Sequence, residues 1–336
     1  MLDKTEHKTG ASRQNPPQNT AATQNTALRD SLFESLAQCP KQISSEWLYD
    51  GVGTAIFDVI TRLPEYYPTR TEKLIFTTHL TEIITTMGPH IELVEYGSGS
   101  AEKTKAIFDH HPKISRYMPV EISPDYLDAS VARLRQDYPH IDIHPHIGSF
   151  LDHHNFPPLA KGAQRIGFFP GSTIGNLTDV QIADFLATAR QDLGDGAALI
   201  IGIDMRKSPD ILIPAYDDAI GITSAFNLNL LSRINSEIGA DFDLSKFRHQ
   251  AIWNDVRSRI EMHLRSTIAQ SVTIAGRQFH FAKDETILTE ISRKFPKGHL
   301  NHMATKQGWK THHIWQDPKA WFQLIYFTSS DENAGR

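Results

Sequence analysis

A short turn, Glu95-Tyr96-Gly97-Ser98-Gly99, lies between an apolar run and a helical one. Glycines there let a ligand approach the backbone, and the N-terminus of the following helix favours an anionic group. The dinucleotide fingerprint of three spaced glycines is incomplete, because Glu102 holds the third position. A carboxylate at that point would lie close to a pyrophosphate. Lys103, on the first helical turn, can instead pair with a single carboxylate such as that of a methionyl group. Glu121 closes the next apolar run, where an acid can accept both hydroxyls of a ribose. This combination fits S-adenosylmethionine (SAM) better than a nicotinamide dinucleotide. Taken alone, the turn also fits an ordinary connection between strand and helix.

The elements that position these residues follow from spacing. Leu28, Leu32 and Leu36 predict an amphipathic helix that breaks at Pro40, and Ile56, Phe57, Ile60 and Leu63 predict another that stops at Pro64. Pro64 to Arg70 reads as a loop carrying Tyr66 and Tyr67, and a helix is expected from Glu72 to Thr86. From residue 91 the pattern alternates. Strands are expected at 91–95, 118–122, 141–147, 165–169 and 197–203, with helices between them. That alternation predicts an α/β fold with a parallel, doubly wound sheet. After Asp204 the alternation stops, and a helical stretch is followed by strand-like residues 258–283. A helix near 297–307 and a strand at 321–327 close the chain.

The 336 residues carry 34 Lys+Arg against 39 Asp+Glu, a net charge of -5, so no basic excess exists to hold a phosphate backbone. A nucleic-acid partner is therefore disfavoured. No segment approaches the ~18 uninterrupted apolar residues of a membrane helix, and the N-terminus lacks the signal-peptide pattern. The single cysteine, Cys39, cannot form an internal disulfide and fits a cytoplasmic location. Residues 1–27, rich in Gln, Asn, Thr and Pro, read as a disordered tail. The 17 histidines include the pairs His110-His111 and His312-His313. No Cys or carboxylate cluster completes a four-ligand set around them, so no metal is expected.

The chain resembles the ergothioneine-pathway histidine N-alpha-methyltransferases (the EgtD family) from about residue 28 to 328. The resemblance rests on ordered blocks: Ile60 to Arg70, Gly97-Ser98-Gly99 with Glu102-Lys103-Thr104, Gly171 to Leu177, Ala215 to Asp218, Thr223 to Asn229, Arg259 to Met262 and Thr289 to Ser292. It implies a Rossmann-like SAM-dependent methyltransferase sheet, formed by 71–204 and 295–330. A second, substrate-binding lobe is implied from 28–70 and 205–294, that is, the N-terminal helices and an insertion after the fifth strand. The implied activity is threefold methylation of the histidine α-amine, with SAM as co-substrate, giving hercynine.

By the same resemblance, Asn176 would hold the α-amine or carboxylate, Gly171 would offer a carbonyl to the amine, and Tyr216 would bind the carboxylate. Glu290 and Ser292, two apart, would share a strand face and serve the two imidazole nitrogens. Tyr66 and Met262 would line that pocket, Asn176, Tyr66 and Tyr216 being closest to the chemistry. On the cofactor side stand Gly97, Lys103, Glu121, Ser149 and Phe150, together with Tyr49, which with Phe57 would close the site from the N-terminal side. The family usually places Asp-Phe after the third strand, its Asp accepting from the adenine amino group; here the pair is Ser149-Phe150. Two other readings stand beside this one: methylation of another amino acid such as tryptophan, and a noncatalytic sensor of SAM or an amino acid. The expected partner is a free small-molecule substrate, with no nucleic acid or membrane and a monomeric state.

Overall fold

The computed structural model describes residues 20–98 and 102–329. Residues 1–19 of the expected tail and Gly99, Ser100 and Ala101 of the glycine turn lie outside the described residues. The first helix, α1 (Thr20–Ala37), starts within the stretch whose composition predicts disorder. Ala21 and Ala22 are strong helix formers and extend it ahead of the apolar face that begins at Leu28. A short strand β1 (Lys41–Gln42) and α2 (Gly51–Ile60) follow. The next helix, α3 (Tyr67–Met87), begins earlier than Glu72, because Pro68 sits in its first turn. There a missing N–H costs nothing and the fixed φ suits the helix. As a result Tyr66 and Tyr67 both turn inward, at 8% and 1% exposure.

Then the alternation appears: β2 (Ile91–Tyr96), α4 (Glu102–His110), β3 (Ile114–Glu121), α5 (Pro124–Asp137), β4 (Asp142–Ile143), β5 (His146–Ile147), β6 (Gln164–Phe169), α6 (Asp179–Leu193) and β7 (Ala198–Asp204). The expected third strand, 141–147, is two pieces, β4 and β5, each parallel to β3. Pro145 lies between them and has no N–H for the ladder. The insertion comprises α7 (Pro209–Tyr216), α8 (Ile222–Ile238), β8 (Phe247–Asn254), β9 (Arg259–Ser266), β10 (Gln270–Ile274), β11 (Arg277–Phe281) and β12 (Thr286–Arg293). The chain ends with α9 (His299–Lys306), β13 (Trp309–Gln316) and β14 (Phe322–Ser329). The edge strand β13 is not legible in the sequence, because polar residues, among them His312 and His313, interrupt its alternation.

The main sheet runs β13-β14-β7-β6-β2-β3-β4, with β5 also on β3. Strands β2, β3, β6 and β7 are parallel, while β14 is antiparallel to β7. From β2 the chain moves to β3 on one side and later to β6 on the other. This reversal opens a crevice at the carboxyl ends of β2 and β6, where open α/β sheets bind ligands. Gly97, Glu121, Ser149, Gly171 and Asp204 all sit at or just after carboxyl ends of these strands. The second sheet runs β1-β12-β9-β8. Leu36, Leu48 and Ile60 of the N-terminal segment share one apolar core with Leu230, Leu264 and Ile287 of the insertion. Among the described residues no helix is long and apolar enough to cross a membrane.

One glycine makes room for a buried charge beneath the crevice. Glu72, on α3, is fully buried, with Oε1 accepting from the Gly171 N–H at 2.8 Å and Oε2 paired with Lys103. A Cβ on Gly202 of β7 would overlap that Oε1 and stand 3.1 Å from the Phe322 ring. Gly202→Ala is therefore expected to displace the carboxylate and lower unfolding stability by about 2 kcal/mol, an overpacking cost. Urea denaturation checks this, and an unchanged midpoint would contradict it.

Candidate functional site

The segment after β6 carries the first residues of the site. Gly171 has φ +77 and Ser172 φ +58, and this bend leads into a 3₁₀ turn, Thr173–Asn176. Ser172 Oγ accepts from the Asp204 N–H at 2.9 Å, which pins the bend to the end of β7. The turn delivers Asn176 to β12. There a bulge between Leu288 and Glu290 resets the register, so that Glu290 lies opposite Met262 and Ser292 opposite Ile260. The Thr289 hydroxyl at the bulge donates to the Met262 carbonyl at 3.0 Å.

Glu290 and Ser292 share the face toward the crevice. Glu290 Oε1 accepts from the Tyr49 hydroxyl at 3.0 Å and from Asn176 Nδ2 at 3.2 Å. Ser292 Oγ and the Tyr216 hydroxyl are 2.9 Å apart. Tyr66 packs edge-on against Tyr216, with ring centroids 5.9 Å apart, and Phe57 packs against Tyr66 at 6.1 Å. Phe226 closes the aromatic wall, 5.5 Å from Tyr49. Met262 is buried in that apolar core, opposite Glu290 on the neighbouring strand. Asn176, Tyr66, Tyr216, Met262, Glu290 and Ser292 thus converge, although five different segments supply them. Tyr49, grouped with the cofactor residues in the sequence reading, stands against Glu290 in this cluster.

Spacing alone overlooks the polar group beneath these hydroxyls. Lys294 Nζ donates to Tyr216 Oη at 2.7 Å and Ser292 Oγ at 2.8 Å, and pairs with Asp204 Oδ2 at 2.8 Å. Lys207 pairs with Asp204 Oδ1 at 2.5 Å and donates to Tyr67 Oη at 2.9 Å, while the Tyr67 hydroxyl donates to Asp204 Oδ2. A signal for Lys294 was present: it continues the period of two set by Glu290 and Ser292. Burial pushes the Glu290 carboxyl up to about 7, against the opposing pull of the Tyr49 hydroxyl and Lys294. Burial also raises the phenols of Tyr49, Tyr66 and Tyr216, so all three are neutral donors at physiological pH. Lys207 is drawn down to about 8 by burial, partly offset by Asp204.

The residues expected on the cofactor side gather at the carboxyl edge. Gly97 has φ +68, and an added Cβ there meets nothing within 4 Å among the described residues. The second glycine, Gly99, lies outside the described residues. Glu121 Oε1 accepts from the N–H groups of Ile122 at 3.0 Å and Ser123 at 3.3 Å, which fixes the carboxylate at the end of β3. Ser149 Oγ accepts from the Leu151 N–H at 3.2 Å, and Phe150 packs 5.0 Å from the Phe169 ring. Lys103 engages Glu72, beside Gly171. The glycine backbone at Gly97 and the anchored acid at Glu121 suit a nucleoside with a short, carboxylate-bearing tail.

A family profile described as "Histidine-specific methyltransferase, SAM-dependent" matches residues 28–329. The chain is 41% identical over 303 residues to a histidine N-alpha-methyltransferase of Mycolicibacterium smegmatis, covering 89% of this chain and 94% of that protein. It is 38% identical over 274 residues to a histidine N-alpha-methyltransferase of Mycobacterium tuberculosis, covering 80% and 84%. Ergothioneine biosynthesis protein 1 of Neurospora crassa is 30% identical over 258 residues, which cover 69% of this chain and 29% of that one.

The raised Glu290 carboxyl has a consequence for stability. In the unfolded chain it loses its proton near 4.5, whereas in the fold it does so near 7. Native stability therefore falls as pH rises between those values, and the penalty is complete above about 7. Glu290→Gln removes the charge and is expected to stabilise the protein by roughly 1–3 kcal/mol at pH 8, with the gain shrinking toward pH 5. Thermal melts across that range test it; a gain independent of pH would contradict the assignment.

Proposed function

The chain belongs to the family of SAM-dependent, histidine-specific methyltransferases, and from this premise we propose that it methylates the α-amine of L-histidine three times to give hercynine, a step of ergothioneine biosynthesis. The observation that carries the reading is the convergence of Asn176, Tyr216, Glu290 and Ser292 at the end of a segment whose other end, Gly171, adjoins Lys103 of the SAM side. Residues 71–204 and 295–330 are assigned to SAM, and 28–70 with 205–294 to histidine.

SAM supplies the methyl group, on a sulfonium centre. The chain's residues then have to hold a neutral amine in line with it. The α-ammonium of a free amino acid holds its proton more firmly than a chain N-terminus, whose pKa is about 7.7–8.0, because its own carboxylate lies beside it; the amine therefore loses that proton to solvent before transfer, and positioning does the remaining work. Tyr216 donates to the substrate carboxylate. The Asn176 amide orients the amine or carboxylate, and the Gly171 carbonyl faces the amine. Glu290 accepts from an imidazole N–H, and Ser292 meets the other ring nitrogen. The rings of Tyr49, Tyr66 and Phe57 wall the pocket, and an aromatic face tolerates the quaternary ammonium of the product. Gly97 lets the nucleoside approach the backbone, Glu121 accepts the ribose hydroxyls, and Ser149 and Phe150 flank the adenine. A lysine has three N–H donors, so Lys103 can meet the methionyl carboxylate while it holds Glu72. We place the reaction in the cytoplasm, with the protein acting as a monomer. The free, exposed Cys39 suits that reducing compartment.

Incubation with SAM and histidine is expected to give mono-, di- and trimethylhistidine by mass spectrometry, with histidine preferred over tryptophan. Absence of every methylated histidine would reject the reading. Glu290→Ala is expected to weaken histidine binding about tenfold or more, since an unpaired buried donor costs about 1–3 kcal/mol, with SAM affinity nearly intact. Gly97→Val forces a β-branched residue to positive φ at the approach surface, and is expected to abolish SAM binding by calorimetry. Unchanged affinity would show the turn to be misassigned.

A further inference from the structure

Lys294 sits just past β12, on the face that carries Glu290 and Ser292, and it is fully buried. Its ammonium has three N–H donors and no acceptor, and three oxygens receive them: Asp204 Oδ2, Tyr216 Oη and Ser292 Oγ. The nitrogen also stands 4.5 Å from the Tyr216 ring centroid. On Tyr216 one lone pair is therefore taken from behind. A hydroxyl that accepts from a cation is polarised toward donating its own proton. Asp204 answers two lysines, Lys294 and Lys207, while the buried Asp317 carboxylate also draws on Lys207 and Glu290 on Lys294. The substrate carboxylate that the proposed function sets on the Tyr216 hydroxyl is the acceptor for that proton.

We infer that Lys294 is a positioning residue for the substrate carboxylate: its ammonium orients the Tyr216 hydroxyl as a donor and, one hydrogen bond behind it, strengthens that donor toward a charged acceptor. The inference rests on the proposed function, since it takes the substrate to be an α-amino acid. It adds a specificity device. The pocket would select for the carboxylate's charge without any lysine or arginine touching the substrate.

The test compares L-histidine with L-histidinamide, which keeps the ring and the α-amine but loses the carboxylate charge. Dissociation constants are measured by calorimetry with S-adenosylhomocysteine present, in the wild-type protein and in Lys294→Met. The wild-type protein is expected to prefer histidine, and Lys294→Met to shrink that preference about tenfold, the worth of a charge-assisted hydrogen bond. Other differences between the ligands cancel in this ratio of ratios, and a merely structural loss would weaken both ligands alike. In Lys294→Met, Asp204 still has Lys207. If that variant does not fold, Lys294→Gln carries the same comparison with the same expectation. A preference for histidine that survives in the folded variant overturns the inference and leaves the function standing. A wild-type protein that binds neither ligand overturns the function itself.

Discussion

Two buried carboxylates hold the two ends of one short segment, and the site depends on that arrangement. Glu72, on α3, accepts the Gly171 N–H at one end. Glu290, on β12, accepts the Asn176 amide at the other. A carboxylate out of water has to be hydrogen-bonded or paired, so each of these acids has a strong reason to keep its end of the segment in place. Glu72 also holds Lys103 from the helix after the glycine turn, while Glu290 also holds Tyr49 from the N-terminal stretch. The segment therefore couples the edge that would carry the methyl donor to the pocket that would carry the acceptor. In-line transfer needs that coupling, because the reacting atoms have to be held about 3–3.5 Å apart and aligned.

The same logic governs the floor of the pocket. Tyr216 and Ser292 point their hydroxyls into it, and Lys294, Asp204, Lys207 and Tyr67 fix those hydroxyls from below. Such a network is set before any ligand arrives, so little reorganisation remains for the reaction to drive. The raised Glu290 carboxyl shows the cost of keeping an acid there. An N–H donor of the substrate would offset that cost by completing its partners.

The parallel sheet was legible because buried strands of apolar residues alternate with helices, and the carboxyl-edge residues Gly97 and Glu121 follow from that pattern alone. The convergence of Asn176, Tyr216 and Glu290 was legible only through the resemblance, because side chains 40 to 114 positions apart in sequence leave no periodic trace. Lys294 followed the period of its strand and was still overlooked, since a lysine at a strand end reads as a solvated charge. The 3₁₀ turn before Asn176 and the bulge at Thr289 are backbone irregularities that place side chains without changing composition. Tyr66 and Tyr67 read as loop residues because Pro64 and Pro68 suggest a break, yet Pro68 begins a helix and buries both rings.

A crystal structure of the ternary complex with S-adenosylhomocysteine and L-histidine tests the central claim most directly. The account predicts the imidazole between Glu290 and Ser292, the carboxylate on the Tyr216 hydroxyl, and the α-nitrogen beside Asn176 facing the donor sulfur. A histidine bound with its ring away from Glu290, or with its amine turned from the sulfur while both ligands are fully occupied, would contradict it.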